Sequence, residues 1–169
     1  RRPNDDSPIP ITSLGSQEIF ETGRVSVGDT LNQLPQFRAS LGSQNSTSGL
    51  GVRGLNLPDL RGLGRARTLT LVNGRRHVTA DIINNGNAVD LNTMPTDLIE
   101  RIDVVTGGVS SVYGSDAIAG VVNFVLKDSY EGLELHGQNG VSKYGDAGNQ
   151  YVSIVAGKNF ADGRGNIAI

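Results

Sequence analysis

Cysteine is absent from the 169 residues, which excludes disulfides, thiol nucleophiles and thiolate metal sites. The compartment stays open on that count. Histidine occurs twice, at His77 and His136, too few for a histidine-based metal centre. Tryptophan is missing, and no Phe or Tyr lies between Phe37 and Tyr113. That gap contains Arg53, Arg61, Arg65, Arg67, Arg75 and Arg76, so this basic cluster lacks the aromatics that stack nucleic-acid bases. Net charge is -2, which gives no bulk attraction to nucleic acid. No apolar run approaches the ~18 residues of a membrane helix. Residues 1–8 are polar and are followed by no apolar segment of signal-peptide length.

What is abundant is glycine, at 23 residues, about twice the usual ~7%. It falls between patterned segments, so it marks turns and close approaches of backbone. "IPIT" (Ile9–Thr12) reads as a short strand limited by Pro10. "SQEIFETG" predicts a short helix with Ser16 near its N-cap and Gly23 beyond its end. "SVGDTLNQLP" predicts a second, capped by Ser26, with Val27, Leu31 and Leu34 on one face and Pro35 as its stop. "GVRGL" reads as a short strand, and "TLTLVNGRRHVT" as a hairpin whose Asn73-Gly74 suits a type I′ turn. "PTDLIE" predicts a short helix, "RIDVV" a strand with Ile102 and Val104 on one face, and "GVVNFVLK" a central strand. Three polar loops separate these elements, over residues 38–49, from Asn56 to about Arg67, and from about Ala80 to Asn87.

After Lys127 the pattern changes. "GLELHGQNG" and "NQYVSIVAGKNF" alternate weakly over about ten residues each, the signature of outer-membrane barrel strands. A hairpin and a stub cannot close a barrel, so the chain is expected to be a fragment.

Catalytic constellations are weak. Gly49, Gly51 and Gly54 match G-x-G-x-x-G but lack a following helix, because Pro58 intervenes. Ser110, Ser111 and Ser115 sit in no G-x-S-x-G frame, and Glu100 and Asp103 are better read as solvated or arginine-paired than as a glycosidase pair. Asn45-Ser46-Thr47 fits the glycosylation triplet, yet a polar loop explains it equally well. The chain is not expected to be an enzyme, and no cofactor is implied.

Taken in order, "IPITSLGSQEI", "VGDTLNQLPQF", "GVRGL", "RTLTLVNGRR" and "LIERIDVVTGGVSSVYGSDAIAGVVNFVLK" resemble the plug domain of TonB-dependent outer-membrane receptors. The resemblance implies an α+β plug over residues 1–127, with 1–8 loose, built on a small mixed sheet with flanking helices. Residues 128–169 would then be the first strands of a roughly 22-stranded barrel. It implies a gate in the bacterial outer membrane, driven by TonB, that binds an iron chelate or a carbohydrate and performs no chemistry on it. Substrate contacts are expected in the three polar loops, at Asn45, Asn56, Asp59, Arg61, Asp81, Asn84 and Asn85. Arg53 matches the family's Arg-Gly pair, which faces the barrel wall. Thr106 stands where the family usually has a second arginine, and residues 1–8 carry no clear TonB-contacting motif. A free-standing periplasmic binding or interaction module of the same fold is the alternative. The open strand edges of 132–160 are expected to pair with a second copy or to fold back on the plug.

Overall fold

The computed structural model describes residues 9–24, 26–39, 42, 54–80, 88–141, 143–145, 148–161 and 164–169. Pro10 cannot donate to a ladder, so the first strand begins just after it: β1 is Ile11–Gly15, later than the expected Ile9–Thr12. Helix α1 (Ser16–Glu21) is capped by Gly15 rather than Ser16, and the Glu18 side chain accepts the Gly15 N–H at 2.9 Å. Helix α2 (Val27–Leu31) starts after Ser26 as expected, but the Ser26 hydroxyl makes no cap and is used elsewhere.

The other strands are β2 (Thr68–Val72), β3 (Arg75–Arg76), β4 (Ile99–Val105) and β5 (Gly120–Leu126). They join β1 in one mixed sheet of order β1-β4-β5-β2-β3, with β2 and β5 parallel and the other pairs antiparallel. The apolar run Gly120–Leu126 is flanked on both sides, which is why it needs no polar alternation. The predicted hairpin is present, with Asn73 and Gly74 both at positive φ, 48° and 77°. Its turn is stitched to β5: Asn73 Oδ1 accepts the Leu126 N–H and Asn123 Oδ1 accepts the Gly74 N–H, each at 2.9 Å. The expected helix over "PTDLIE" is only a 3-10 turn, Thr96–Leu98, because Ile99 already belongs to β4.

One face of the sheet carries the main core. Ile99, Ile102, Val104, Val122 and Phe124 pack against Ile19, Val27, Leu31, Phe37, Leu60, Leu91 and Met94. The opposite face buries Leu69, Leu71 and Val121 against Val109 and Ala117, from the segment that includes α3 (Ser110–Tyr113). Both sets of side chains on β2 are therefore buried, the threonines included. Thr68 manages this because its hydroxyl accepts the Leu60 N–H at 3.0 Å.

β6 (Gly132–Val141), β7 (Gly148–Phe160) and β8 (Gly165–Ala168) form a separate antiparallel meander. Its alternation is inverted relative to a soluble sheet. Leu133, Leu135, Val141, Val152, Ile154, Phe160 and Ile167 are exposed on one face. Glu134, His136, Gln138, Tyr151, Ser153 and Asn159 are the partly covered set between them. The sheet's partly covered face is applied to the plug.

Candidate functional site

Two backbone segments meet at an isolated bridge between Phe37 and Leu60. Arg38 donates its N–H to Asp59 O at 2.9 Å, and Arg61 donates to Gln36 O at 2.7 Å. Phe37 and Leu60 point into the core, so the next residue on each segment, Arg38 and Arg61, lies exposed. Arg61 adopts a left-handed φ of 60°, and Arg38 lies across Gly62, its Cδ 3.3 Å from where a Cβ would sit. The two guanidinium-bearing side chains thus share one turn. Arg65 and Arg67 follow on the next, and among the described residues none of the four arginines is in an ion pair. This geometry suits binding of an anionic ligand.

Asp59 does not reach outward. It is 6% exposed, and its Oδ1 accepts the Gly64 N–H at 2.9 Å, which braces the arginine turn from below. Asn56 is 1% exposed and works as a strut between three segments. Its N–H donates to Asp90 Oδ1 at 2.9 Å, its carbonyl accepts the Leu91 N–H, and its Nδ2 donates to Ser26 Oγ at 3.2 Å. Of the expected substrate residues, then, Arg61 faces solvent, while Asn56 and Asp59 are turned inward. Asn45, Asp81, Asn84 and Asn85 lie outside the described residues, as does Arg53. Arg38 was absent from the sequence-based set; its signal was its place at the mouth of the first polar loop, opposite Arg61.

The seam between plug and meander is held at several points. The Phe20 ring of α1 stacks on the His136 ring of β6, with centroids 4.6 Å apart and planes at 6°. Gln138 Nε2 donates to the Gly23 carbonyl. Tyr151 on β7 donates its hydroxyl to Asp97 Oδ2 at 2.5 Å. In the connecting segment, the Tyr130 hydroxyl donates to Glu134 Oε2 at 2.9 Å, and Lys127 Nζ sits 4.9 Å above the Tyr130 ring. Partial burial, then the Glu134 hydrogen bond and charge, push the Tyr130 phenol up from its ordinary value. Asn166 on β8 donates to the Tyr130 carbonyl at 2.8 Å.

Ser111 and the nearby Asp116 are engaged locally. Ser111 donates to Gly108 O at 3.5 Å, and Asp116 pairs with Arg76 at 2.5 Å. His77 Nε2 meets Thr93 Oγ1 at 3.0 Å. Among the described residues no three His, Asp or Glu side chains converge as metal ligands.

A family model described as TonB-dependent Receptor Plug Domain matches residues 3–121. Solved structures of similar fold include the siderophore receptor PirA from Pseudomonas aeruginosa, at 20% identity and a TM-score of 0.62, covering 92% of this chain and 26% of that one. A doubly substituted form of the ferric enterobactin receptor PfeA from the same organism matches at 21% identity and a TM-score of 0.68, over 92% and 23%. The ferric yersiniabactin uptake receptor FyuA from Yersinia pestis matches at 17% and 0.58, over 92% and 22%. The chain spans about a quarter of the length of each of these structures.

Proposed function

The chain belongs to the TonB-dependent receptor plug family, and from that premise we propose that residues 1–127 are the gate of an outer-membrane transporter. Residues 128–169 are then the opening strands of the barrel around it. The observation that carries this reading is the inverted meander: one face is pinned to the plug through Tyr151 and His136, and the other, where Leu133, Leu135, Val152, Ile154, Phe160 and Ile167 stand exposed beside Asn139, Gln150 and Lys158, is turned away, as on the outer wall of a membrane barrel. That exposed apolar set weighs against a free-standing periplasmic module.

The substrate we favour is an anionic iron chelate, entering over Arg38 and Arg61, with Asn45, Asp81, Asn84 and Asn85 as further contacts. Asn56 and Asp59 shape the loop from within. Support comes from the exposed Arg38 and Arg61, which make no ion pair among the described residues, and from the neighbouring siderophore receptors. A carbohydrate is the second candidate. Release is driven by TonB, Arg53 contacts the barrel wall, and a lone copy of this chain pairs through the edges of 132–160.

The test is uptake by cells carrying or lacking the intact receptor, with iron-55 chelates and labelled oligosaccharides, each with and without TonB. Receptor- and TonB-dependent accumulation of iron supports the reading. Accumulation of oligosaccharide alone replaces the substrate, and no receptor-dependent uptake of either overturns it.

A further inference from the structure

Gly28 is buried inside α2, where the backbone is helical and makes no demand for glycine. Alanine is the better helix former at such a position. The reason for the missing side chain lies across the gap. A Cβ on Gly28 would stand 2.3 Å from both Cγ and Oδ1 of Asn56, and 2.4 Å from its Nδ2. Because Cγ is itself in the way, rotating the amide about its last torsion clears nothing. The Asn56 backbone is held too: its N–H by Asp90 Oδ1 and its carbonyl by the Leu91 N–H, both at 2.9 Å. Gly28 is thus the notch in which the Asn56 amide is seated, with Ser26 Oγ receiving Nδ2 at 3.2 Å.

This seat lies at the root of the arginine pair. From Gly28 the chain runs through α2 and the turns that follow it to Arg38. Those turns are closed by N–H donation from Leu34 to Leu31 O and from Phe37 to Leu34 O, each at 3.0 Å. From Asn56 the chain runs through the buried Leu57 and Leu60 to Arg61. The two arms are fastened twice. Asn56 on Gly28 and Ser26 joins their beginnings, and the Phe37–Leu60 bridge joins their ends. A single bridge leaves a pivot, whereas two fastenings set both the separation and the relative rotation of the arms.

We propose that Gly28 and Asn56 are positioning residues for the anion site. By seating one arm on the other, they set how far apart Arg38 and Arg61 present their guanidinium groups, and so which anionic chelates the pair grips together. The inference rests on reading Arg38 and Arg61 as the substrate's point of entry. Neither positioning residue touches the ligand: Gly28 is buried without a side chain, and Asn56 is 1% exposed. Guanidinium recognition of an anion depends on the direction of its fork of donors, so a displaced arm is felt as lost affinity.

The experiment uses the intact receptor, well below its unfolding temperature, with two readouts. One is titration with a ferric tris-catecholate as the anionic probe. The other is dipolar broadening between spin labels on Arg38→Cys and Arg61→Cys, in a receptor with no other cysteine. Gly28→Ala should change the label separation and weaken the chelate by about tenfold, the scale of one charge-assisted hydrogen bond. Asn56→Gly, which empties the notch, should do the same. Adding Gly28→Ala to Asn56→Gly should cost nothing more, because the methyl then meets no amide. If Gly28→Ala does not fold, Asn56→Gly and Ser26→Ala make the same test, since each loosens the seat without adding an atom. A lowered unfolding temperature with unchanged label separation and unchanged affinity means a structural role only; it overturns this inference and leaves the proposed function standing. Wild-type affinity in the double variant Arg38→Ala/Arg61→Ala instead sinks the anion site itself, and this inference with it.

Discussion

The Phe20 ring, at the end of a six-residue helix in the plug, lies flat on the His136 ring of the first strand of the meander. The pair joins residues 116 positions apart and fixes α1 against β6. An aromatic pair of this kind is worth about 0.5–1.5 kcal/mol beyond its buried area. A double-mutant cycle with Phe20→Ala and His136→Ala, read by thermal unfolding of the receptor, should return a coupling of that size. Strict additivity would show that the two rings do not support each other.

Gly120 opens the central strand at a φ of 140°, and a Cβ there would lie 2.3 Å from the Val105 carbonyl oxygen. Backbone cannot retreat as a flexible side chain can. Gly120→Ala should therefore cost roughly 3 kcal/mol or more, the sum of strain and overpacking. Phe124→Ala, two turns of the pleat further into the main core, should cost ~3–5 kcal/mol by leaving a cavity. Urea unfolding of the plug measures both. A loss below ~1 kcal/mol at either site would contradict the packing described.

Leu135 and His136 are neighbours in sequence and opposites in environment. Leu135→Arg should destabilise the membrane-inserted receptor by as much as ~2–4 kcal/mol, according to depth, because it sets a charge in lipid. Gln138→Arg, on the plug-facing set, should cost far less. Folding into lipid vesicles under denaturant titration compares them, and equal costs would refute the assignment of faces.

Removing Arg38 and Arg61 should each weaken binding of an anionic chelate by roughly 10- to 100-fold, the range for a hydrogen bond to a charged group. Asp59→Asn leaves the side chain able to accept the Gly64 N–H and should change affinity much less. Fluorescence or calorimetric titration of the intact receptor decides. Unaltered affinity in the double arginine variant would remove this turn from the binding site.

Tyr130 keeps its proton to higher pH in the folded chain than in the unfolded one, owing to partial burial and to Glu134. Its contribution to stability is therefore complete below the ordinary tyrosine pKa. It is lost as pH rises through that value and on through the raised one. Tyr130→Phe should remove this alkaline dependence. Ultraviolet difference titration against that variant follows the phenol directly, and ionisation at or below the ordinary tyrosine pKa would contradict the environment described.

Much of this architecture is local, and the sequence alone determined it. Asn73-Gly74 can adopt two successive positive φ angles, which dictates the hairpin between β2 and β3. The run Gly120–Leu126 is too apolar to lie anywhere but inside the sheet. Alternation after Lys127 distinguishes barrel-type strands because period two is a property of the strand itself. Side-chain direction in irregular backbone has no such period, and only the tertiary structure decided it. Asn56, Asp59 and Arg61 look alike as polar loop residues. Contacts with Ser26, Asp90 and Gly64, distant or reached by a turn, draw the first two inward, whereas the pairing of Arg61 N with Gln36 O leaves its side chain outside. For the same reason, Ser26 serves as a strut for Asn56 instead of a cap, and "PTDL" stops at one 3-10 turn. Local propensities worth tenths of a kcal/mol yield to β4 pairing with its neighbours and to the satisfaction of buried polar groups.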